Sequence, residues 1–274
     1  MEPSEEKLVE SIRQHMRNSR GLDIDGYSRM FILRCVRRRI GRVESKDLAE
    51  YVRNLRSSDE ETSQLVSALS INVTDFFRDP VAFQALSEKV IRPVVLSKKG
   101  TGGIVRVWSA GCATGQEAYT VAICLEEELG RVGGDENILG TVTAGDLSLS
   151  ALTFARKGVY RKEQVANIPP LFLNAYFVKR NGSYEVGDVI KRRVRFVKEN
   201  LLDEPKSRFF DVAVCRNVLI YFSRPMHDQV AMNFHKALRP GGYLMLGKTE
   251  SLVGQPRPYF ELVDAENRIF RKLG

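Results

Sequence analysis

The 274-residue chain has no apolar run approaching the roughly 18 residues that cross a bilayer, so no membrane insertion is expected. Its opening stretch, Met1 to Glu10, is acidic and polar rather than basic and apolar, which argues against a secretory signal there. Cysteine is scarce. Cys35, Cys112, Cys124 and Cys215 stand far apart, with no CxxC or Cys/His spacing, so neither a zinc site nor a disulfide framework is expected. Buried free thiols in a reducing cytoplasm are the simpler expectation. Histidine is scarcer still: His15, His227 and His235 are the full set, and the last two fall on one predicted helix as surface or packing residues. No internal repeat and no low-complexity tract appears. Glycine is missing from the whole stretch between Arg42 and Lys99, as expected of uninterrupted helices.

What is present is ordinary for a globular protein, with 43% hydrophobic and 28% charged residues, but the +8 net charge is unevenly spread. Between Arg17 and Arg42 stand eight arginines (17, 20, 29, 34, 37, 38, 39 and 42) against Asp23 and Asp25. Such a cluster attracts nucleic acid, acidic lipid or a carboxylate-rich protein surface. On charge alone, a solvated helix face is the favoured reading.

Residues 1–70 read as helices, with candidates at Glu6–Met16, Tyr27–Ile40, Ser45–Leu55 and Asp59–Leu69. Met30, Leu33, Val36 and Ile40 recur at helical spacing in the second, and Ser45 is a candidate N-cap for the third. The segment 71–103 follows, with a further helix to about Leu96 and a linker, Ser97 to Gly103. From residue 104 to the C-terminus strands alternate with helices, which predicts an α/β domain with a doubly wound, mostly parallel sheet. The rhythm breaks over residues 160–193. Pro169-Pro170, a short helix, and alternating segments near Tyr184–Val186 and Val189–Lys191 predict a small antiparallel β-insertion at about 175–195.

Three places carry chemistry. Ser109-Ala110-Gly111-Cys112-Ala113-Thr114-Gly115-Gln116-Glu117 is a glycine turn from the first strand into a helix, where backbone amides can approach a ligand closely. It lacks the central glycine of GxGxxG, so a dinucleotide fold is disfavoured. The second strand ends in Gly145-Asp146, and a carboxylate at that position suits a ribose diol, with helix capping as its structural alternative. Asp211 to Cys215 is an apolar strand that delivers Arg216-Asn217 at its carboxyl end, where open α/β sheets bind ligands.

Asn72-Val73-Thr74-Asp75-Phe76-Phe77-Arg78-Asp79, the glycine turn, and Cys215-Arg216-Asn217-Val218-Leu219-Ile220-Tyr221-Phe222 together resemble the three signatures of the chemotaxis receptor methyltransferases, the CheR family. The resemblance runs from about Tyr27 to the C-terminus. It implies a class I S-adenosylmethionine-dependent methyltransferase fold behind an all-helical N-terminal substrate-docking domain. The implied activity is methyl transfer from S-adenosylmethionine to glutamate side chains on methyl-accepting chemotaxis receptors, by a cytoplasmic protein expected to be monomeric. Carried over by position, Asn72, Thr74, Arg78, Gly111, Glu117, Asp146, Asn200, Leu201, Arg216 and Asn217 would bind the cofactor. Glu117 would meet the methionyl amino group, Asp146 the ribose, and Asn200-Leu201 the adenine. Arg78 and Tyr221 would orient the reacting groups. Arg34, Arg37 and Arg38, three to four residues apart on the Tyr27–Ile40 helix and roughly opposite Met30 and Leu33, would dock the receptor.

This sequence departs from the family pattern at Gln116 and Ala118, at Gly145 where threonine or serine is usual, and at Lys248 where histidine is frequent. The loop Lys179 to Asp188 holds only Gly182 and Gly187, so no tight grip on a receptor's C-terminal peptide is expected. A nucleic-acid methyltransferase is a rival that the arginines permit, but the strand end reads Arg216-Asn217-Val218-Leu219 in place of [DNS]-P-P-[YFW]. A non-catalytic cofactor-binding adaptor is a second rival, disfavoured by the presence of Arg78, Asp146 and Tyr221.

Overall fold

Capping chemistry sets the helix ends in the first of two units. A computed structural model describes residues 4–22, 24–69, 74–132 and 138–274. Helix α1 (Glu5–Arg20) starts at Ser4, whose hydroxyl accepts the Lys7 N–H, and stops at Gly21 in the left-handed conformation. Helix α2 (Arg29–Val43) starts later than its periodicity suggests because Ser28 caps it, leaving Tyr27 outside. Helix α3 (Leu48–Ser57) is capped by Asp47, not by Ser45: the Asp47 carboxylate accepts the Glu50 N–H while Glu50 reaches back to the Lys46 N–H. Helix α4 (Asp59–Leu69) has the expected bounds.

Leu33 and Val36 of α2 are buried with Phe31, Ile32 and Cys35, but Met30 is 69% exposed. Met30 therefore lies on the arginine face and not opposite it. Arg39 leaves that face altogether. It is 8% exposed and pairs through Nε and a terminal nitrogen with both oxygens of Glu61, which also accepts the Tyr51 hydroxyl at 2.8 Å. Three helices thus meet at one buried, fully bonded charge pair, an arrangement that fixes register more than it adds stability. A later segment, Tyr221–His227, also belongs to this unit. Phe222 pairs with Tyr27 as an antiparallel bridge and stacks on its ring at 5.3 Å, while the Ser28 and Ser223 N–H groups donate to the Tyr221 and Gly26 carbonyls.

The second unit, Val73–Ile220 with Asp228–Gly274, is built on a seven-stranded sheet. Its strands are β1 (Gly103–Ala110), β2 (Ile138–Asp146), β6 (Val194–Lys198), β7 (Phe210–Cys215), β8 (Leu238–Leu246), β9 (Phe260–Asp264) and β10 (Ile269–Lys272), in the order β6-β2-β1-β7-β8-β10-β9. All neighbours are parallel except β8–β10 and β10–β9. This is the doubly wound, mostly parallel α/β sheet expected. Every residue of β7 is buried, Asp211 included, which explains the apolar run Val212 to Cys215. Helices α7 (Gln116–Arg131), α8 (Leu149–Lys157) and α11 (Arg224–Ala237) connect the strands. Ahead of β1, α5 (Pro80–Leu86) and α6 (Arg92–Leu96) join through a π turn, Ser87–Ile91, just before Pro93, whose ring cannot continue a regular helix.

The β-insertion is a three-stranded antiparallel sheet, β3 (Val159–Arg161), β5 (Ser183–Val186) and β4 (Phe177–Arg180), in that order, with α9 (Pro170–Tyr176) inside it. Lys179–Asp188 is not one open loop. Asn181 and Gly182, at φ 47° and 77°, close a tight hairpin between β4 and β5. The expected strand at Val189–Lys191 is instead α10 (Asp188–Arg193), with an acid in its first turn, three bases in its last and Ile190 buried, a combination that suits a helix dipole. Among the described residues no helix is long and apolar enough to cross a membrane, and no cluster of metal-ligating side chains occurs.

Candidate active site

The chemistry-bearing residues of the second unit converge where β1, β2 and β7 end. Between β1 and α7 the chain takes positive φ at Gly111, Ala113 and Gly115 (75°, 49° and 95°). This turns the Gly111 and Cys112 N–H groups onto the Gly145 carbonyl at 2.8 and 2.9 Å, locking the turn to the end of β2. Glycine is required at 111 for space as well as for φ: a Cβ would lie 2.7 Å from Cγ2 of Val218. The loop after β7 therefore approaches the bare backbone of the turn.

Asp146 closes the other side. One oxygen accepts the Ala113 N–H and the other the Ser148 N–H, each at 2.8 Å. Ser148, not Asp146, caps α8, through an Oγ that accepts the Ala151 N–H. Burial raises the Asp146 pKa, and the backbone donors of Ser148 and Ala113 oppose it. Each oxygen keeps acceptor capacity for a further donor.

Glu117, in the first turn of α7, is buried and accepts the Ser109 hydroxyl at 3.0 Å. Burial pushes its pKa up to about 7, while Arg216, the Ser109 hydroxyl and Arg78 pull it down and Glu250 adds to the rise. It is a carboxylate short of positive charge, and a cationic amino group is the ligand that would relieve it. Arg216, at the end of β7, donates to the Arg78 carbonyl at 2.7 Å, approaches the Asp79 carboxylate at 3.4 Å and lies over the Phe83 ring at 5.0 Å. Its Nε is buried with no partner, a donor left available. The Arg78 side chain is exposed and Thr74 is half-buried. Lys248, at the position where the family pattern has histidine frequently, pairs with Asp79 at 3.1 Å. Phe76 packs on Tyr160 and Phe177, and Phe77 on Phe83 and Phe172, so both serve the core.

Asn200 bonds within its own turn, to the Leu202 N–H and the Asp203 carboxylate, and Leu201 is buried. Asn217 sits at φ 60° and donates its N–H to Glu250. Tyr221 packs within the first unit, its ring 4.8 Å from that of Phe31. Asn72 lies outside the described residues. Arg34, Arg37 and Arg38 line a groove of about 350 Å³ on the first unit, with Met30 as its apolar member.

Two residues that bond to the candidate site residues escaped sequence reasoning: Asp79 and Glu250. Asp79 stood inside a quoted motif and could have been noticed as the only acid next to Arg78. Glu250 gave no signal, because apart from the nearby Gly247 its partners are backbone N–H groups some thirty residues earlier, an approximate separation typical of contacts made only by folding.

The donor set suits S-adenosylmethionine: an under-neutralised carboxylate for an ammonium, a second carboxylate at a glycine turn for a diol, and a free guanidinium donor for a carboxylate. Residues 8–70 match the family model of the CheR methyltransferase all-alpha domain, and residues 72–269 that of the CheR methyltransferase SAM binding domain. A chemotaxis protein methyltransferase of Borreliella burgdorferi is 34% identical over 218 residues, covering 76% of this chain and 75% of its own. One from Pseudomonas aeruginosa is 36% identical over 222 residues, covering 78% and 79%. An uncharacterized 104.1 kDa protein of Rhodobacter capsulatus is 36% identical over 242 residues, 88% of this chain, which spans only 25% of that protein's length. The chain belongs to the CheR methyltransferase family, with a class I methyltransferase fold and S-adenosylmethionine as its cofactor.

Proposed function

We propose that the protein methylates the side-chain carboxylate of glutamates on the cytoplasmic helices of chemoreceptors, giving γ-methyl esters. The observation that carries this reading is the convergence of Glu117, Asp146 and Arg216 at the ends of β1, β2 and β7 with no strong base among them. Bound S-adenosylmethionine supplies a methyl group activated by its sulfonium. A glutamate with pKa about 4.3 is already ionised at neutral pH, so the protein need not remove a proton. It must orient the carboxylate and exclude water.

Asp146 would accept the ribose hydroxyls and Glu117 would pair with the amino group. Arg216 and Asn217 would hold the methionyl end, and Asn200 and Leu201 the adenine, with Gly111 shaping the turn on which the cofactor lies. Thr74 and Arg78, with Asn72, complete the cofactor contacts. Arg78 and Tyr221 orient the incoming carboxylate. Receptor membranes incubated with methyl-labelled cofactor should release base-labile methanol. Label in DNA or RNA instead, or no ester at all, would overturn the assignment.

Asp146→Ala removes both the ribose acceptor and the acceptor of two backbone N–H groups. It should weaken S-adenosylhomocysteine binding by about 1–3 kcal/mol, measured calorimetrically, with the circular dichroism of the fold retained. Unchanged affinity would remove Asp146 from the site.

The arginine groove should act at a different step. A receptor helix carrying exposed glutamates is complementary to Arg34, Arg37 and Arg38, with Met30 offering it an apolar contact. Each exposed pair is worth only about 0–1 kcal/mol and is screened by salt. Arg34→Glu, Arg37→Glu and Arg38→Glu together should therefore raise the receptor KM by about thirtyfold at low salt and leave kcat and cofactor affinity near normal. An unchanged KM at low and moderate salt would reduce the groove to surface decoration.

A further inference from the structure

Glu199 has no step in the chemistry above, yet three strands meet at it. Its N–H donates to the Asp146 carbonyl at 3.0 Å, directly beyond the last β2–β6 pair, Asp146 with Lys198. Its side chain then runs back across the sheet, and Oε2 accepts the Trp108 Nε1–H at 2.9 Å. Trp108 lies on β1, on the far side of β2, so the contact must pass over β2. It passes at Gly145. A Cβ there would stand 2.0 Å from Oε2 of Glu199, 3.1 Å from its Cδ and 3.2 Å from its Cβ, so any side chain at 145 would evict the carboxylate.

The donor cannot move to meet a displaced acceptor. Trp108 is 2% exposed and its indole is held by Phe210 and Phe234, at 5.6 and 5.0 Å between ring centres. The next residues are tied down from another element: Asn233, buried on α11, donates to the Leu201 and Asp203 carbonyls at 3.0 and 2.8 Å. Residues 199–203 are thus anchored at one end on an indole and at the other on an asparagine, with Asn200 and Leu201 between. Leaving a half-buried carboxylate beside the sheet costs desolvation, and a packing role alone would be served better by an apolar residue.

We propose that Gly145, Trp108 and Glu199 form a positioning device for the nucleoside half of the cofactor site, with Glu199 holding the Asn200–Leu201 turn in its binding conformation. This rests on the assignment of Asn200 and Leu201 to adenine. Glu199 acts through the turn and touches no reacting atom.

The test uses the whole protein and two probes, S-adenosylhomocysteine and 5′-methylthioadenosine, which keeps the nucleoside but lacks the amino-acid end. Glu199→Ala, Trp108→Phe and Gly145→Ala should each weaken both probes by the same factor, about tenfold, leaving kcat at saturating cofactor unchanged. Glu199→Gln keeps an acceptor for the indole and should bind within about twofold of the parent. Gly145→Ala combined with Glu199→Ala should be no worse than Glu199→Ala alone, because both remove one contact. Trp108 is the sole tryptophan, so its emission reads the contact directly: it should shift in Glu199→Ala and Gly145→Ala and not in Glu199→Gln. If Glu199→Ala does not fold, the Trp108 and Gly145 variants carry the same comparison. Parental affinity for methylthioadenosine in these variants, or loss confined to S-adenosylhomocysteine, would overturn the proposal alone. A parent protein that binds neither probe would overturn the assignment of the site and this proposal with it.

Discussion

Glu250→Ala should lower the unfolding free energy by about 3–5 kcal/mol, the range for removing one side of a buried charged interaction. Turnover should collapse with it. The Glu250 side chain, 2% exposed, collects five backbone N–H groups: Gly247 and Asn217 on Oε2, and Val218, Leu219 and Ile220 on Oε1. Four of the five distances lie between 2.7 and 2.9 Å. Hydrogen bonds to a charged acceptor contribute more than neutral ones, and a buried N–H stripped of its partner bears the full desolvation cost. The loop is constrained on both sides of this contact, with Asn217 in the left-handed region at φ 60° and Val218 pressed against Gly111. Glu250→Gln keeps one oxygen and should lose roughly half as much. Urea denaturation followed by circular dichroism measures both, and an unchanged midpoint in Glu250→Ala would show that the loop holds itself.

Arg78→Ala and Tyr221→Phe should each lower kcat about a hundredfold, well beyond any loss of S-adenosylhomocysteine affinity. The alanine variant is a clean probe, because what Arg78 gives the fold is its carbonyl, which accepts from Arg216 and survives the substitution. What is lost is an exposed guanidinium close enough to lower the pKa of Glu117. Glu117 should accordingly hold its proton more firmly in Arg78→Ala, moving the acid limb of cofactor binding to higher pH. In Tyr221→Phe the ring contact with Phe31 is kept and only the hydroxyl goes. Full turnover in both variants would remove them from the reacting centre.

The parts of the molecule that could be read in advance are those where one local pattern has one physical solution. A buried parallel strand such as β7 announces itself as an apolar run, and a glycine turn between strand and helix leaves few alternatives for the residues around it. The misreadings share a cause: patterns that two structures satisfy equally. Val189 and Lys191 alternate as a strand would, but the charges flanking them favour the helix α10. Met30 is apolar at helical spacing, yet Ser28 starts α2 so that Met30 falls in its exposed first turn. Ser45 and Asp47 can both cap, and only the folded chain chooses. Gly145 departs from the family pattern with no local reason, because the Glu199 carboxylate that fills the space of a side chain there is brought in only by folding.

The segment Tyr221–His227 has an implication for how this architecture can change over time. Its Phe222 ring stacks on Tyr27 and its backbone is bonded to Gly26 and Ser28, so the helical unit is completed by residues encoded about two hundred positions later. Neither unit is a contiguous stretch of gene. A helical domain cut away at residue 72 would lose that seam, and a methyltransferase portion inherited alone would carry Phe222 without Tyr27 to cover it. Recombination at the single obvious boundary therefore damages both halves. Lineages that keep the activity are expected to inherit the two units together and to vary instead at the β-insertion, whose hairpin begins and ends within one unit.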